Sequence, residues 1–106
     1  MKELIWNENA KDYIRALDKD TRREIGTFLF LLQRGNILKP PLSKKMSSIH
    51  KNAFELRISD RKGENRIIYV LALKDKILIP HAFRKKSQKT PLREIEIARR
   101  RIKEMI

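Results

Sequence analysis

Residues 54–73 read FELRISDRKGENRIIYVLAL, and this stretch decides the fold. Phe54, Leu56 and Ile58 alternate with polar residues, and this period of two predicts a strand with one buried face. Asp-Arg-Lys-Gly at residues 60–63 predicts a turn, and residues 66–73 are almost all apolar, as is typical of a central strand covered on both faces. The stretch therefore predicts an antiparallel pair of strands.

The sheet is predicted to continue on either side of this pair. We interpret residues 74–76 as a three-residue loop and residues 77–83 as a third strand, which completes an antiparallel meander. Near the start of the chain, residues 4–6 form a short apolar run that is typical of an edge strand. Residues 36–51 contain Pro40-Pro41 and three serines, and they predict a basic loop.

Two helices are predicted in the N-terminal third of the chain. The first begins near Glu8, and its apolar stripe extends to Leu17. The second begins at Thr21, because Glu24 three residues later has the spacing of a capping box, and it ends at Gly35. The two helices together predict a helical hairpin.

A C-terminal helix is predicted after Thr90 and Pro91, which serve as its cap and its first helical residue. Apolar residues at helical spacing then continue to Met105. The predicted fold class is α+β, with a small antiparallel β-sheet, an N-terminal helical hairpin and a C-terminal helix. The 106 residues fit one domain that spans residues 1–106.

Composition excludes several classes of protein. The chain has no cysteine, so disulfides and thiolate metal sites are excluded. Its three glycines are far apart in the sequence, so it has no glycine-rich phosphate-binding loop. The longest apolar runs are much shorter than the roughly 20 residues of a membrane span. We therefore expect a soluble protein of the cytoplasm that needs no cofactor and no metal.

The chain is strongly basic, with 26 Lys and Arg residues against 13 Asp and Glu residues and a net charge of +13. Residues 36–54 and residues 76–93 contain no acid at all. Their cations are Lys39, Lys44, Lys45, Lys51, Lys76, Arg84, Lys85, Lys86, Lys89 and Arg93. Clustered cations repel one another, and a polyanion such as nucleic acid neutralises them. These segments therefore indicate a phosphate-binding surface, with simple solubility as the alternative explanation.

The predicted register brings arginines together on one face of the sheet. If residues 60–63 form the turn, the pairing of the first two strands of the meander places Arg57 opposite Arg66. With a three-residue loop before the third strand, Arg84 also lies opposite Arg66. A loop that is one residue different in length puts Lys85 there instead, so the row is cationic in either register.

Such a row needs an explanation, because like charges directly opposite each other destabilise a sheet. One explanation is ion pairing with Glu55, Glu64 or an acid of the C-terminal helix. The other is a cradle for phosphate, since arginine binds phosphate through two parallel hydrogen bonds and keeps its proton. The pKa of a lysine in such a row is lowered toward the range of proton transfer.

Few other residues offer chemistry. His50 and His81 belong to no metal-binding motif, which argues against a metal site. His50 in the basic loop is a candidate general base, whereas His81 has apolar neighbours that are typical of a core or rim position. Tyr69 is either packed in the central strand or placed to stack on a base. The chemistry that remains is cleavage of RNA, whose own 2′-hydroxyl is the nucleophile.

Three motifs together resemble a known family. They are Phe54-Glu55-Leu56-Arg57, then Asn65-Arg66-Ile67-Ile68-Tyr69, then HAFRKKSQKTP from His81 to Pro91. The chain is similar over nearly its whole length to HigB-like toxins, the phage-derived branch of the RelE/ParE superfamily of bacterial toxin–antitoxin toxins. The resemblance implies a RelE-like fold with two N-terminal helices, a small antiparallel sheet and a C-terminal helix.

The resemblance also implies an activity, that of a metal-independent, ribosome-dependent mRNA endoribonuclease. By similarity the catalytic residues are Arg57, Arg66, Lys85 and Lys86, with the arginines on the phosphate and a lysine in proton transfer. The chain lacks the C-terminal histidine that some relatives use, so His50, Lys85 and Tyr69 all remain candidates for the general base.

Partners follow from the same resemblance. It implies a helix-turn-helix antitoxin of the HigA-like kind, and the ribosome with its mRNA. The expected contacts to RNA or the ribosome are Lys44, Lys45, Lys51, Arg84, Lys89 and Arg93. Two other functions stay open, a ParE-like toxin that inhibits gyrase and an RNA-binding module without catalytic activity.

Overall fold

The structure is a computed structural model that describes residues 1–85 and 89–106, with only the backbone of Ala72 and Leu73. Within these residues the elements are β1 (Glu3–Trp6), α1 (Glu8–Arg15), α2 (Lys19–Gln33), β2 (Ser43–Lys45), β3 (Ala53–Asp60), β4 (Gly63–Leu73), β5 (Lys76–Lys85) and α3 (Leu92–Met105). The strands form a five-stranded sheet, and the predicted α+β class is confirmed.

The sheet has the strand order β1-β5-β4-β3-β2. Strands β3, β4 and β5 form the antiparallel meander that the sequence predicts. Strand β1, however, lies parallel to β5, with Glu3 opposite Lys76, so the sheet is mixed and not purely antiparallel. The prediction failed here because a short apolar run indicates a strand but does not specify which neighbour it pairs with, or in which direction.

A short strand lies within the segment that the sequence predicts as a loop. Strand β2 pairs antiparallel with β3, with Ser43 opposite Leu56. Beyond it, the N–H of Met46 donates a hydrogen bond of 2.9 Å to the carbonyl of Ala53. Three residues are too few to show a period of two, so the hydrophobic pattern does not reveal this strand.

The register of β3 and β4 is the predicted one. Arg57 lies opposite Arg66, and Asp60 lies opposite Gly63 across the turn. Gly63 has a φ of 138°, a conformation that favours glycine over residues with a Cβ atom, so the glycine suits this turn. Because paired residues of neighbouring strands share a face, the two arginines point to the same side of the sheet.

The register of β4 and β5 differs from the predicted one. Arg66 lies opposite Phe83 and not opposite Arg84, whose partner is Asn65. Lys85 lies opposite Glu64, which is two residues from Arg66 along β4. Since side chains alternate along a strand, Lys85 shares a face with Arg66, whereas Arg84 points to the other face.

The length of the turn before β5 causes this difference. Leu73 pairs with Lys76, so the turn has two residues where three were predicted. The pairing also shifts between Ile68 and Val70 and again between Val70 and Leu73. These two shifts cancel, because a register counted evenly from Leu73 and Lys76 already places Arg66 opposite Phe83. The shorter turn therefore accounts for the difference on its own.

Helices pack on both faces of the sheet. One apolar cluster joins α1 and α2 to the face that carries Leu56, Ile67 and Tyr69. A second cluster joins α3 to the other face, where Ile68 and Phe83 lie. In the described part of the chain, no helix has the length and apolar character needed to cross a membrane.

Two predicted helix caps differ from the observed ones, by three residues in α2 and by one residue in α3. Helix α2 begins at Lys19, and the carboxylate of Asp18 accepts a hydrogen bond of 3.0 Å from the N–H of Thr21. Asp18 is a good capping residue three positions earlier, so it takes the role predicted for Thr21. Helix α3 begins at Leu92 with Pro91 as its N-cap, so Thr90 is not the cap. The Thr90 side chain has a different partner, described below.

Candidate functional site

Three strands each place one cation on the face of the sheet that α3 partly covers. Arg57 comes from β3, Arg66 lies directly opposite it on β4, and Lys85 comes from the end of β5. We call these three residues the cationic row. Lys85 pairs with Glu64, which is two residues before Arg66 on β4, so the side chains of Lys85 and Arg66 lie on the same face.

Two carboxylates on the same face compensate part of this charge. Glu55 accepts hydrogen bonds at Oε1 from Nη1 of Arg66 and, at 3.4 Å, from Nε of Arg57. Glu64 accepts from Arg66 as well, so the Arg66 guanidinium lies between two carboxylates. The ion pairs that the sequence offers as an alternative explanation therefore exist, and they compensate Arg66 most fully.

Exposure separates the members of the cationic row. Arg66 is only 4% exposed and Lys85 only 6%. The Arg57 side chain is 24% exposed, so it is the most accessible of the three. On the edge strand β2, Lys44 is exposed and lies opposite Glu55, which extends the positive charge from the row to the rim of the sheet.

The pKa of Lys85 is lowered from its ordinary value. The main cause is burial, which disfavours the charged ammonium, and the positive charges of Arg66 and Arg57 lower the pKa further. Glu55 and Glu64 act in the opposite direction. The ammonium of Lys85 therefore gives up its proton more easily than that of an exposed lysine.

Thr90 joins the site from the segment before α3. Its Oγ1 donates a hydrogen bond of 2.7 Å to Oε2 of Glu55. The sequence predicts a helix cap at Thr90 and does not reveal this contact. A polar residue just before a helix predicts a cap unless a buried acid elsewhere competes for its hydroxyl.

Arg84 and Lys45 belong to the other face. Arg84 donates hydrogen bonds of 2.7 and 3.0 Å to the two oxygens of Asp60. These bonds, together with one from the Asn65 amide, hold the pKa of Asp60 well below its usual value. The predicted place of Arg84 in the row is therefore wrong. Lys45 lies opposite Phe54, with its Nζ 5.8 Å from the centre of that ring.

The two remaining base candidates, Tyr69 and His50, have contacts outside the cationic row. Tyr69 is 1% exposed on the face covered by α1 and α2, where its hydroxyl is 2.5 Å from Oγ of Ser43 and burial raises its pKa. His50 lies in the turn before β3, and its Nδ1 accepts a hydrogen bond of 3.1 Å from the N–H of Asn52. Tyr69 therefore lies on the face opposite the row, and the hydrogen bond described for His50 involves no residue of the row.

His81 fastens α3 to the sheet. Its Nε2 is 2.8 Å from the Glu94 carboxylate, and its Nδ1 is 3.0 Å from Nη1 of Arg101. Because arginine can only donate, Nδ1 is the acceptor and Nε2 carries the proton. Burial is the main reason that the pKa of His81 is lowered. The core or rim position expected for His81 matches this burial.

The other sequence-predicted contacts are on the surface. Lys51 is exposed in the turn before β3, and Lys89 and Arg93 are exposed near the start of α3. Lys86 lies outside the described residues. Across residues 1–85 and 89–106, no three His, Asp or Glu side chains are grouped so that they could hold a metal ion.

Comparisons with known proteins place the chain among phage-derived sequences. A family model described as "Phage derived protein Gp49-like (DUF891)" matches residues 12–103. A search of curated proteins found no match.

The fold is similar to that of two solved structures. The isolated E. coli RelE toxin in its P21 crystal form has a TM-score of 0.61 and 13% identity, and the match covers all of both chains. A double arginine-to-alanine mutant of E. coli RelE in the free state has a TM-score of 0.60 and 15% identity, covering 99% of this chain and 98% of that one. The sheet and its helices therefore form a RelE-like fold.

Proposed function

Because the chain belongs to the Gp49-like family of phage-derived proteins, we propose that it is a HigB-like toxin of a type II toxin–antitoxin pair that cleaves mRNA on the ribosome. The observation that carries this proposal is the meeting of Arg57, Arg66 and Lys85 on one face of the sheet. The RelE-like fold supports it. In this proposal the protein acts in the cytoplasm, and a HigA-like helix-turn-helix antitoxin neutralises it.

The arginines stabilise the phosphate that is cleaved. Arg57 makes the direct contact, because its guanidinium is the accessible one and binds phosphate oxygens through parallel hydrogen bonds. Arg66 acts indirectly, because its guanidinium is already paired with Glu55 and Glu64. This arrangement adds positive potential where negative charge builds up on the phosphate in the transition state.

The RNA supplies the nucleophile. Its 2′-oxygen attacks the neighbouring phosphorus while the bond from phosphorus to the 5′-oxygen breaks, which leaves a 2′,3′-cyclic phosphate and a 5′-hydroxyl. One proton leaves the 2′-hydroxyl and one is added to the 5′-oxygen. Lys85 serves in proton transfer because its lowered pKa makes the neutral amine accessible. Lys86 is the second lysine proposed for catalysis. His50 and Tyr69 have no role in this mechanism, because neither side chain lies in the cationic row.

The surface cations bind the RNA backbone on either side of the row. Lys44 and Lys51 lie at the β2 side, and Lys89 and Arg93 lie near the start of α3. Each contact to a phosphate releases counterions and so adds affinity without reading sequence.

The test uses ribosomes carrying a defined message, purified protein, and a second message with a single 2′-deoxynucleotide at the position of the cut. We expect the first message to be cut to a 2′,3′-cyclic end and the second to stay intact. An intact first message would contradict the proposal. Stable RNA binding without any cut would favour the RNA-binding module. An intact message in this assay together with DNA damage in cells that express the protein would favour the gyrase-inhibiting toxin.

A further inference from the structure

Glu55 is the point at which three parts of the site meet. Its side chain is completely buried on β3. One carboxylate oxygen accepts from Arg57 of the same strand and Arg66 of β4, and the other accepts from Thr90, which precedes α3. The two strands and the segment leading into α3 therefore share one acceptor.

Packing alone does not require an acid at this position. A buried carboxylate is costly unless charged partners and hydrogen bonds compensate for it. The cross-strand neighbour of Glu55 on β4 is Ile68, an apolar residue that is also completely buried on this face. The presence of an acid at position 55 therefore indicates a role that an apolar side chain could not fill.

We propose that Glu55 is a positioning residue of the RNA-cleaving site and that Thr90 fixes the orientation of its carboxylate. This inference rests on the function proposed above. Glu55 does not touch the substrate, because none of its side chain is exposed. It acts through Arg57, whose Nε it holds. A guanidinium held at Nε still presents its two terminal nitrogens to a phosphate.

Loss of the Glu55 charge has opposite effects on binding and on cleavage. The local net charge becomes more positive by one, so the affinity for RNA stays the same or rises. Arg57 exchanges an ionised acceptor for a neutral amide oxygen that holds its guanidinium more weakly, so a contact that matters in the transition state is weakened. Glu55→Gln is therefore expected to bind RNA at least as tightly as the wild type and to cleave it about 100-fold more slowly.

Thr90 gives a finer test of the same idea. Thr90→Val keeps the shape of the side chain and removes the hydroxyl, whereas Thr90→Ser keeps the hydroxyl. We expect the valine variant to cleave slowly with unchanged RNA affinity, and the serine variant to regain the wild-type rate. Matched controls are Glu104→Gln and Thr27→Val, both at exposed helix positions.

A second measurement needs no RNA. The Nε–H group of Arg57 gives its own NMR signal, and in the wild type it donates to a buried carboxylate. In Glu55→Gln this signal should shift and its proton should exchange faster with water. If the wild type cleaves no message at all, the proposed function fails, while the Arg57 signal still decides whether Glu55 positions that arginine.

Three results would overturn the inference where Glu55→Gln folds. They are a wild-type cleavage rate in Glu55→Gln, an Arg57 signal that Glu55→Gln leaves unchanged, and parallel losses of RNA binding and cleavage in a variant that still melts cooperatively. If Glu55→Gln does not fold, the Thr90 variants decide. A slow valine variant with a normal serine variant supports the inference, and equal rates overturn it.

Discussion

Arg57 and Arg66 lie directly opposite each other on β3 and β4 and share the carboxylate of Glu55 as a hydrogen-bond acceptor. Two cations at this spacing would destabilise the sheet if nothing compensated them. The shared acid offsets the repulsion between the two arginines. Their surroundings nevertheless differ in charge compensation and in exposure. Arg66 is enclosed by a second carboxylate, Glu64, whereas Arg57 keeps an exposed side.

This inequality predicts different effects on stability. Arg66→Gln leaves the buried Glu55 without its strongest partner, and loss of one member of a buried pair costs about 3–5 kcal/mol. Arg57→Gln leaves Glu55 bonded to Arg66 and Thr90, so no buried charge is left unpaired and we expect a loss of about 1 kcal/mol, the net contribution of one hydrogen bond. Urea unfolding at neutral pH measures both values.

Both variants are expected to lose cleavage, but for different reasons. Arg57→Gln should remain as soluble and as cooperative in melting as the wild type, so its loss of activity reports on the phosphate contact alone. Equal destabilisation by the two substitutions would show that the exposure of Arg57 does not distinguish it from Arg66.

Proton transfer by Lys85 predicts a distinctive pH profile. The neutral amine is the base, so the cleavage rate should rise with pH and level off below the ordinary pKa of lysine, because burial and the arginines lower it. Lys85→Arg keeps the charge but cannot release its proton, so this rising limb should vanish and the rate should fall about 100- to 1000-fold. A wild-type rate in Lys85→Arg on programmed ribosomes excludes proton transfer by Lys85.

The sequence predicts the fold better than it predicts the site. The alternation of residues 54–58 and the turn at residues 60–63 correctly place Arg57 opposite Arg66, because hydrophobic pattern and turn length together determine the register of a hairpin. The same reasoning failed for β5. The turn before β5 has two residues where three were expected, and a difference of one residue in a turn shifts every pair that follows it.

The contacts at Glu55 show a second limit of sequence reasoning. An acid that alternates with apolar residues along a strand predicts a solvent-facing side chain, but Glu55 points to the face covered by α3 and is buried. Only the three-dimensional arrangement reveals that Thr90, distant in sequence, reaches the same carboxylate. The sequence does predict that residues 66–73 form a strand covered on both faces. That prediction was the signal that the face carrying Glu55 could also be buried.

Arg84 is expected to matter for stability and not for cleavage, because it bonds Asp60 on the face opposite the cationic row. The pKa of Asp60 is lower in the folded than in the unfolded chain. The contribution of the ionised Asp60 to the stability of the fold is therefore fully present above the unfolded pKa of about 4. The contribution disappears as the pH falls through the folded pKa. The difference in thermal stability between wild type and Arg84→Gln should therefore be large at pH 7 and shrink below pH 4.

A suitable control for that measurement is Arg15→Gln. Arg15 is an exposed partner of Asp12 at 3.8 Å, and such pairs contribute little. Its variant should melt like the wild type at both pH values. Loss of message cleavage in a folded Arg84→Gln protein would instead place Arg84 among the RNA contacts.

Two adjacent lysines of the edge strand test where the RNA lies. Lys44 and Lys45 are both exposed, but they pair with Glu55 and Phe54 respectively and so point to opposite faces of the sheet. Binding of single-stranded RNA weakens with salt, and the slope of log K against log salt concentration changes by about 0.7 for each phosphate contact. Lys44→Gln should reduce the slope by about that amount and Lys45→Gln should not, because only Lys44 shares the face of the cationic row. Equal slopes for the two variants would mean that the RNA does not follow this face, and the phosphate contact assigned to Arg57 would then lose its support.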